Sequence, residues 1–257
     1  LPSLQRARNQ AKAVVCQANL SNFGKAAAIY LQDNEGRIIK DAGGMEAIWF
    51  LRGEYKSIVD PNLSEKISSV ETKGIALCPL AVKPTEGSFT FTGNNNLVLE
   101  GMCGGTFNCW EIQNPAPAFR GSYGANEWQF KHARFSGHRS FSRRFGYSNI
   151  YGLRGLSNVP LLLDAGMMSS DPDNGFSERP PKFFHDGRGF GMIPFCINRH
   201  NEHVNCLFMD WSVRKVGLKE LWKLKWHENF NTAGPWTKAG GVQPEDWPEW
   251  MRNFKDY

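Results

Sequence analysis

The chain has 257 residues, 41% hydrophobic and 13% aromatic, with 30 Lys and Arg against 25 Asp and Glu. That is enough apolar side chain to bury a core in one large domain or two small ones, and it excludes an intrinsically disordered chain. The net charge of +5 is too small to demand nucleic acid or an anionic membrane as partner, and no apolar run approaches the ~20 residues that span a bilayer.

Residues 3 to 32 contain no Pro and only Gly24. Leu4, Ala7, Ala11, Val14, Val15, Ala18, Ala26, Ala27 and Tyr30 recur close to a 3.6-residue period, which predicts one long helix with these residues on its apolar face. Arg6, Arg8 and Lys12 lie in its first turns, where cations oppose the macrodipole of a true helix start. Together with Leu1 in place of Met, this leads to the expectation that position 1 is not the natural beginning and that a targeting or membrane segment precedes it. Asp33, Asn34, Glu35 and Gly36 carry a turn signature, followed by a short helix around Met45 to Leu51 and a turn at Cys78 and Pro79.

Residues 88 to 100 read as two strands around a turn at Gly93 and Asn94, and Val159 to Leu163 as a third. The clearest hairpin spans Phe195 to Met209, turning near Asn201 and Glu202, with a second turn at Asp210 and Trp211 leading into Ser212 to Val216. From Leu218 the pattern becomes helical, and Pro244 to Phe254 reads as a last short helix. There is no βαβ alternation, glycine-rich phosphate loop or internal repeat. The fold class predicted is α+β: a long N-terminal helix packed on an antiparallel β-sheet head with long loops and short C-terminal helices, divided into a stem at 1–34 and a head at 35–257.

Six cysteines, Cys16, Cys78, Cys103, Cys109, Cys196 and Cys206, allow fifteen pairings. Cys103 and Cys109 close a short Gly-rich loop, and Cys196 and Cys206 lie symmetrically about the Asn201–Glu202 turn, which leaves Cys16 with Cys78 to tie the helix to the head. Such a framework implies an oxidising compartment. The competing reading is a zinc set of Cys196, His200, His203 and Cys206, disfavoured because successive residues of a tight hairpin point to opposite faces.

Other constellations have ordinary explanations beside functional ones. Asp171 and Asp173 have an oxygen-ligand spacing for calcium, yet no twelve-residue loop with a terminal Glu follows, and an Asx turn explains them better. Between Phe130 and Gly155, Lys131, Arg134, Arg139, Arg143, Arg144 and Arg154 alternate with aromatic residues and no acid, a mixture suited to an acidic neighbouring subunit or an anionic polymer before nucleic acid. Trp222 and Trp226, at helical spacing within a Trp-rich tail, read as core. No Gly-x-Ser-x-Gly or His-Glu-x-x-His motif is present, and a His200–Asp210 contact reads as a turn-fixing hydrogen bond before an acid–base pair, so neither an enzyme nor a cofactor or metal is expected.

The sequence Leu1-Pro2-Ser3-Leu4, then Arg6-Ala7-Arg8, Val14-Val15-Cys16 and Asn19-Leu20, resembles the stem of the type IV pilin-like, or pseudopilin-like, proteins of planctomycete and verrucomicrobial bacteria. The resemblance continues through Tyr30 to Asn34, Cys78-Pro79, Gly121 to Trp128, and Asn158-Val159-Pro160 with Asp164. His200 and Asp210 fit the family's His, nine residues, Asp-Gly signature, with Trp211 in place of the Gly, which tells against a tight glycine turn. The resemblance covers most of the chain, is specific at its two ends and is weak over residues 88–120. It implies a hydrophobic helical segment before Leu1, with the leader-peptidase site and the membrane anchor. It further implies a non-catalytic subunit of an extracellular filament or pseudopilus whose partners are identical subunits in a helical assembly, and further pilins or secretion machinery. A secreted binding protein for polysaccharide or nucleic acid is the second expectation.

Overall fold

The computed structural model describes residues 2–33, 35–36, 75–84, 88–92, 98–114, 119–129, 154–173, 179–183, 187 and 189–257. The expected helix around Met45 to Leu51, the turn at Gly93 and Asn94, and the basic residues Lys131, Arg134, Arg139, Arg143 and Arg144 lie outside the described residues.

Helix α1 runs over Pro2–Asp33. Pro2 sits in the first turn, where its missing N–H is no loss, and seven alanines give the helix high intrinsic propensity. Past its end the chain turns left-handed at Glu35 and Gly36 (φ 54° and 73°), and the Gly36 N–H donates to the Leu31 carbonyl at 2.7 Å, a C-terminal cap. No helix among the described residues is long and apolar enough to cross a membrane.

Among the described residues ten strands follow: β1 (Lys83–Pro84), β2 (Phe89–Thr92), β3 (Val98–Met102), β4 (Asn108–Asn114), β5 (Phe119–Gly121), β6 (Tyr123–Asn126), β7 (Pro160–Asp164), β8 (Ser169–Ser170), β9 (His203–Phe208) and β10 (Val213–Gly217). They form two five-stranded sheets, one in the order β1-β4-β3-β2 with β5 also on β4, the other β10-β9-β7-β6-β8. The sequence predicts antiparallel pairing, and this is correct except at two short edges: β1 runs parallel to β4 and β8 parallel to β6, so both sheets are mixed. The C-terminal segments are 3-10 turns at Leu218–Lys223, Pro244–Asp246 and Glu249–Met251, not α-helices, with Pro244 and Pro248 interrupting the last stretch.

The second sheet is covered on both sides. Along β9, Val204, Cys206 and Phe208 join a cluster with Trp222, Trp226 and Trp247, while Leu207 between them faces a second cluster containing Cys16, Leu20 and Phe23 of α1. This two-residue alternation places α1 on one face and the Trp-rich tail on the other. The tryptophans are therefore core, as their spacing predicts. A Cβ on Gly24 would stand 2.8 Å from Leu207 Cδ1, so the glycine lets α1 lie close on β9.

The predicted apolar positions of α1 meet the head only in its later turns. Ala26 and Ala27 are buried, but Leu4, Ala7, Ala11, Val14, Val15 and Ala18 are all exposed, and the row that packs on the head is Ala13, Cys16, Leu20, Phe23, Ala27 and Leu31. At 100° per residue the two rows sit on opposite sides of the helix. Phe23, wholly buried and edge-on to Tyr123 at 6.1 Å, anchors the buried row. Phe23→Ala is expected to lower unfolding stability by ~3–5 kcal/mol in denaturant titration, and Leu4→Ala to change it by less than ~0.5 kcal/mol.

Candidate functional site

Four ionisable or metal-ligating side chains from distant parts of the chain converge where α1 meets the second sheet. Cys16 comes from α1, Cys78 from the turn closed by the Ala81 N–H to Cys78 carbonyl bond (2.8 Å), and Asp164 from the end of β7. His200 precedes a two-residue reverse turn in which Asn201 and Glu202 are both left-handed (φ 54° and 67°) and the His200 N–H donates to the His203 carbonyl at 3.0 Å. All four are buried, and one ligand atom from each lies within 4.8 Å of the others.

Asp164 is the hub. Its Oδ1 accepts from Arg199 Nη1 at 3.1 Å, and its Oδ2 accepts the Asn205 N–H at 2.7 Å and meets His200 Nε2 at 3.1 Å. The Cys16 Sγ lies 3.5 Å from Oδ1 and 3.6 Å from Oδ2, and receives the Tyr123 hydroxyl at 3.3 Å. Cys78 Sγ stands 3.6 Å from the same His200 Nε2, while His200 Nδ1 has no hydrogen-bond partner among the described residues.

Arg199 is fully buried, and its guanidinium also donates to the carbonyls of Gly105 (2.7 Å), Thr106 (2.9 Å) and Ala165 (3.1 Å). It thereby joins the loop between β3 and β4 to the end of β7. Removing it strands a carboxylate in the interior, so Arg199→Leu is expected to destabilise the fold by ~3–5 kcal/mol in denaturant titration.

The charges are mutually adjusted. Burial alone would raise Asp164, but the charge and hydrogen bond of His200, then Arg199, bring it down to about 2. Burial alone would lower His200, but Asp164 raises it to about 9. Burial opposes ionisation of Cys78, yet its hydrogen bonds with Cys16 and His200 bring it to about 6, while Cys16 is pushed far up by burial, by its hydrogen bond with Cys78 and by Asp164. These directions favour charge on Asp164, His200 and Cys78 over charge on Cys16, with Asp164 paired to Arg199.

This arrangement corrects several sequence expectations. His200 contacts Asp164 and not Asp210, whose Oδ1 accepts the N–H and the hydroxyl of Ser212 (3.0 and 2.6 Å) in an exposed turn. That turn is tight despite Trp211, which takes the left-handed conformation (φ 69°) of the missing glycine. All six cysteines are buried, and none is in a disulfide. Cys196 Sγ faces Met251 Sδ at 3.9 Å and Cys206 Sγ the Leu207 carbonyl at 3.4 Å. The predicted hairpin over Phe195 to Met209 does not form: residues 195–199 make no strand, and β9 pairs with β10 and β7, so Cys196 and Cys206 are not opposed across a ladder. Cys103 and Cys109, expected to close a loop, form no disulfide either. Of the zinc set disfavoured from sequence, only His200 belongs to the cluster, and His203 instead places Nδ1 2.8 Å from the Asn201 carbonyl. The expected Cys16–Cys78 neighbourhood is present, with no disulfide between the two sulfurs. Arg199 carries no motif, and only its chain position beside His200 pointed to it.

Asp171 and Asp173, weighed for calcium, lie in another region, near Glu127, whose Oε1 accepts the Ser169 hydroxyl at 2.6 Å. Burial, then the Glu127 charge, push Asp171 to about 7. A carboxyl raised in the folded state adds stability that is full below its unfolded value near 3.8 and lost as pH rises through about 7. Asp171→Asn should therefore flatten the fall in thermal midpoint between about pH 4 and pH 7.

No protein-family model, curated protein or solved structure matches this chain.

Proposed function

We propose that this protein is a non-catalytic structural subunit of an extracellular pilin-like filament or pseudopilus, assembled through its stem helix and head contacts with further copies of itself. The observation that carries this reading is the second apolar row of α1. Leu4, Ala7, Ala11, Val14 and Ala18 are spaced alternately by three and four residues, as in the seam of a helical bundle. They lie on the side of the helix turned away from the head, with Leu4 50% and Val14 63% exposed. An isolated helix of this length has no reason to carry two apolar rows half a turn apart unless each has a partner. The head takes one row, and a neighbouring stem is the natural occupant of the other.

The composition of that row supports close helix approach, because three of its five members are alanine. Arg6, Arg8 and Lys12 are exposed beside it and keep the unassembled helix hydrated. Head-to-tail contacts of this kind do not close on themselves and build an open helical assembly. The resemblance of the stem residues to pilin-like proteins supports the same reading, and it implies a subunit outside the cytoplasm, anchored in a membrane before assembly, with further pilins or secretion machinery as its wider partners.

Immunogold electron microscopy of producing cells tests the proposal. Regular surface filaments labelled along their length are expected, and a combined Leu4→Glu, Val14→Glu variant should abolish them while the isolated subunit keeps its unfolding midpoint. Unlabelled filaments, or labelled filaments that persist in the variant, would sink the reading.

A further inference from the structure

The contacts of the buried cluster are poorly explained as hydrogen bonds alone. Asp164 Oδ2 and Cys78 Sγ both approach His200 Nε2, at 3.1 and 3.6 Å, and a ring nitrogen offers either one proton or one lone pair. Cys16 Sγ likewise approaches both Asp164 oxygens, at 3.5 and 3.6 Å. Four donors aimed at one another from four separate chain segments are what a central cation would organise.

We propose that Cys16, Cys78, Asp164 and His200 form a tetrahedral site for a borderline-soft divalent cation of the zinc type, which fastens the stem helix to the head. The separations support it. With Zn–S near 2.3 Å and Zn–N and Zn–O near 2.0 Å, a regular tetrahedron has sulfur–nitrogen and sulfur–oxygen edges of about 3.5 Å and a nitrogen–oxygen edge of about 3.3 Å. The structure has 3.6 Å from Cys78 Sγ to His200 Nε2, 3.6 Å from Cys16 Sγ to Asp164 Oδ2 and 3.1 Å from His200 Nε2 to the same Oδ2.

The donor set chooses the class of ion. Two sulfurs and an imidazole suit zinc and its neighbours, and a hard oxygen-seeking ion such as calcium or magnesium has only Asp164 to bind. Charge balances as well: two thiolates and a carboxylate are matched by a divalent cation and the Arg199 guanidinium. The surrounding contacts resemble the outer shell of a structural metal site. Arg199 and the Asn205 N–H fix the Asp164 carboxylate, and the Tyr123 hydroxyl donates to Cys16 Sγ. Four protein ligands leave no open position, which marks the site as structural and not catalytic. A cavity of about 580 Å³ between α1 and the Asn201 turn, lined by His200, Arg199, Arg6, Asn9 and Lys215, gives the ion a path from solvent.

This inference does not depend on filament assembly, and its test needs only the isolated chain. The 257-residue protein is purified with a non-thiol reductant and without chelator, its metal content is measured by mass spectrometry, and the metal-free form is titrated with Co(II). One zinc-type ion per chain is expected. Co(II) should give the intense visible ligand-field bands of a tetrahedral thiolate site, saturating at one equivalent. Cys78→Ser and His200→Gln should each abolish those bands. Cys196→Ser, which changes a buried thiol outside the cluster, should leave them intact. Because the variants may lose their fold, the deciding measurement is on the wild type. A reduced chain with native circular dichroism that shows no one-equivalent cobalt spectrum overturns the proposal. So does a natively isolated chain whose non-reducing peptide map joins Cys16 to Cys78 in a disulfide.

Discussion

A carboxylate with no solvent exposure, Asp164, sits where the stem helix, both sheets and the Asn201 turn come together, and the rest of the head is arranged to keep it charged. Burying an unpaired carboxylate is prohibitive, so its neighbours are obligatory and not decorative. Arg199 supplies the compensating charge, and because the guanidinium must satisfy its remaining donors, it gathers the carbonyls of Gly105, Thr106 and Ala165 around itself. One charge placed in the core thus fixes the loop between β3 and β4, the end of β7 and the approach to β9. Hydrophobic burial holds the layers together, but it is non-directional and would tolerate their sliding. The Asp164 network sets their register.

The same constraint explains why α1 is split in character. Its later turns have to present Cys16 and Gln17 to the Asp164 region, where Gln17 donates to Asn205 Oδ1 at 3.0 Å, and so the row containing Cys16, Leu20 and Phe23 is committed to the head. The opposite row has no function in the fold of the single chain. Residues 3 to 12 are exposed around the whole circumference, so the helix projects from the head before it packs. The outward row can therefore change without disturbing the packing of the inward one.

How far the sequence reveals this varies from element to element. The helix, its stop at Glu35 and Gly36, and strands β2, β3, β7, β9 and β10 follow from periodicity and turn residues, because those signals are local. The face of the helix does not, since a helix with two apolar rows gives a periodic signal from each and periodicity cannot say which one meets the head. The His200–Asp210 spacing is real but measures something else. It is the length of β9 plus the turn at each end, so the two residues mark successive corners of the hairpin without touching. Asp164 was visible only as part of a family pattern, because its partners are distant in sequence and no motif spacing links a strand end to Cys16 and Cys78. Trp211 misleads for a related reason: Asp210 holds the turn through Ser212, and that side-chain bond substitutes for the conformational ease of glycine.

The cysteines show why spacing alone could not decide their chemistry. Cys196 and Cys206 look paired about a turn, yet they belong to the apolar cluster around the tryptophans, where a thiol behaves as a small hydrophobe. Cys16 and Cys78 are the pair with polar company, beside Asp164, His200, Arg199 and Tyr123. Apolar packing between α1 and the second sheet is non-directional, so fixing the register of the helix requires something more. A directional bond between helix and head meets that requirement, whether it passes through sulfur alone or through an ion shared with the carboxylate and imidazole. The second arrangement also draws on Asp164 and His200, and it connects the helix directly to the network that already fixes the register of the head.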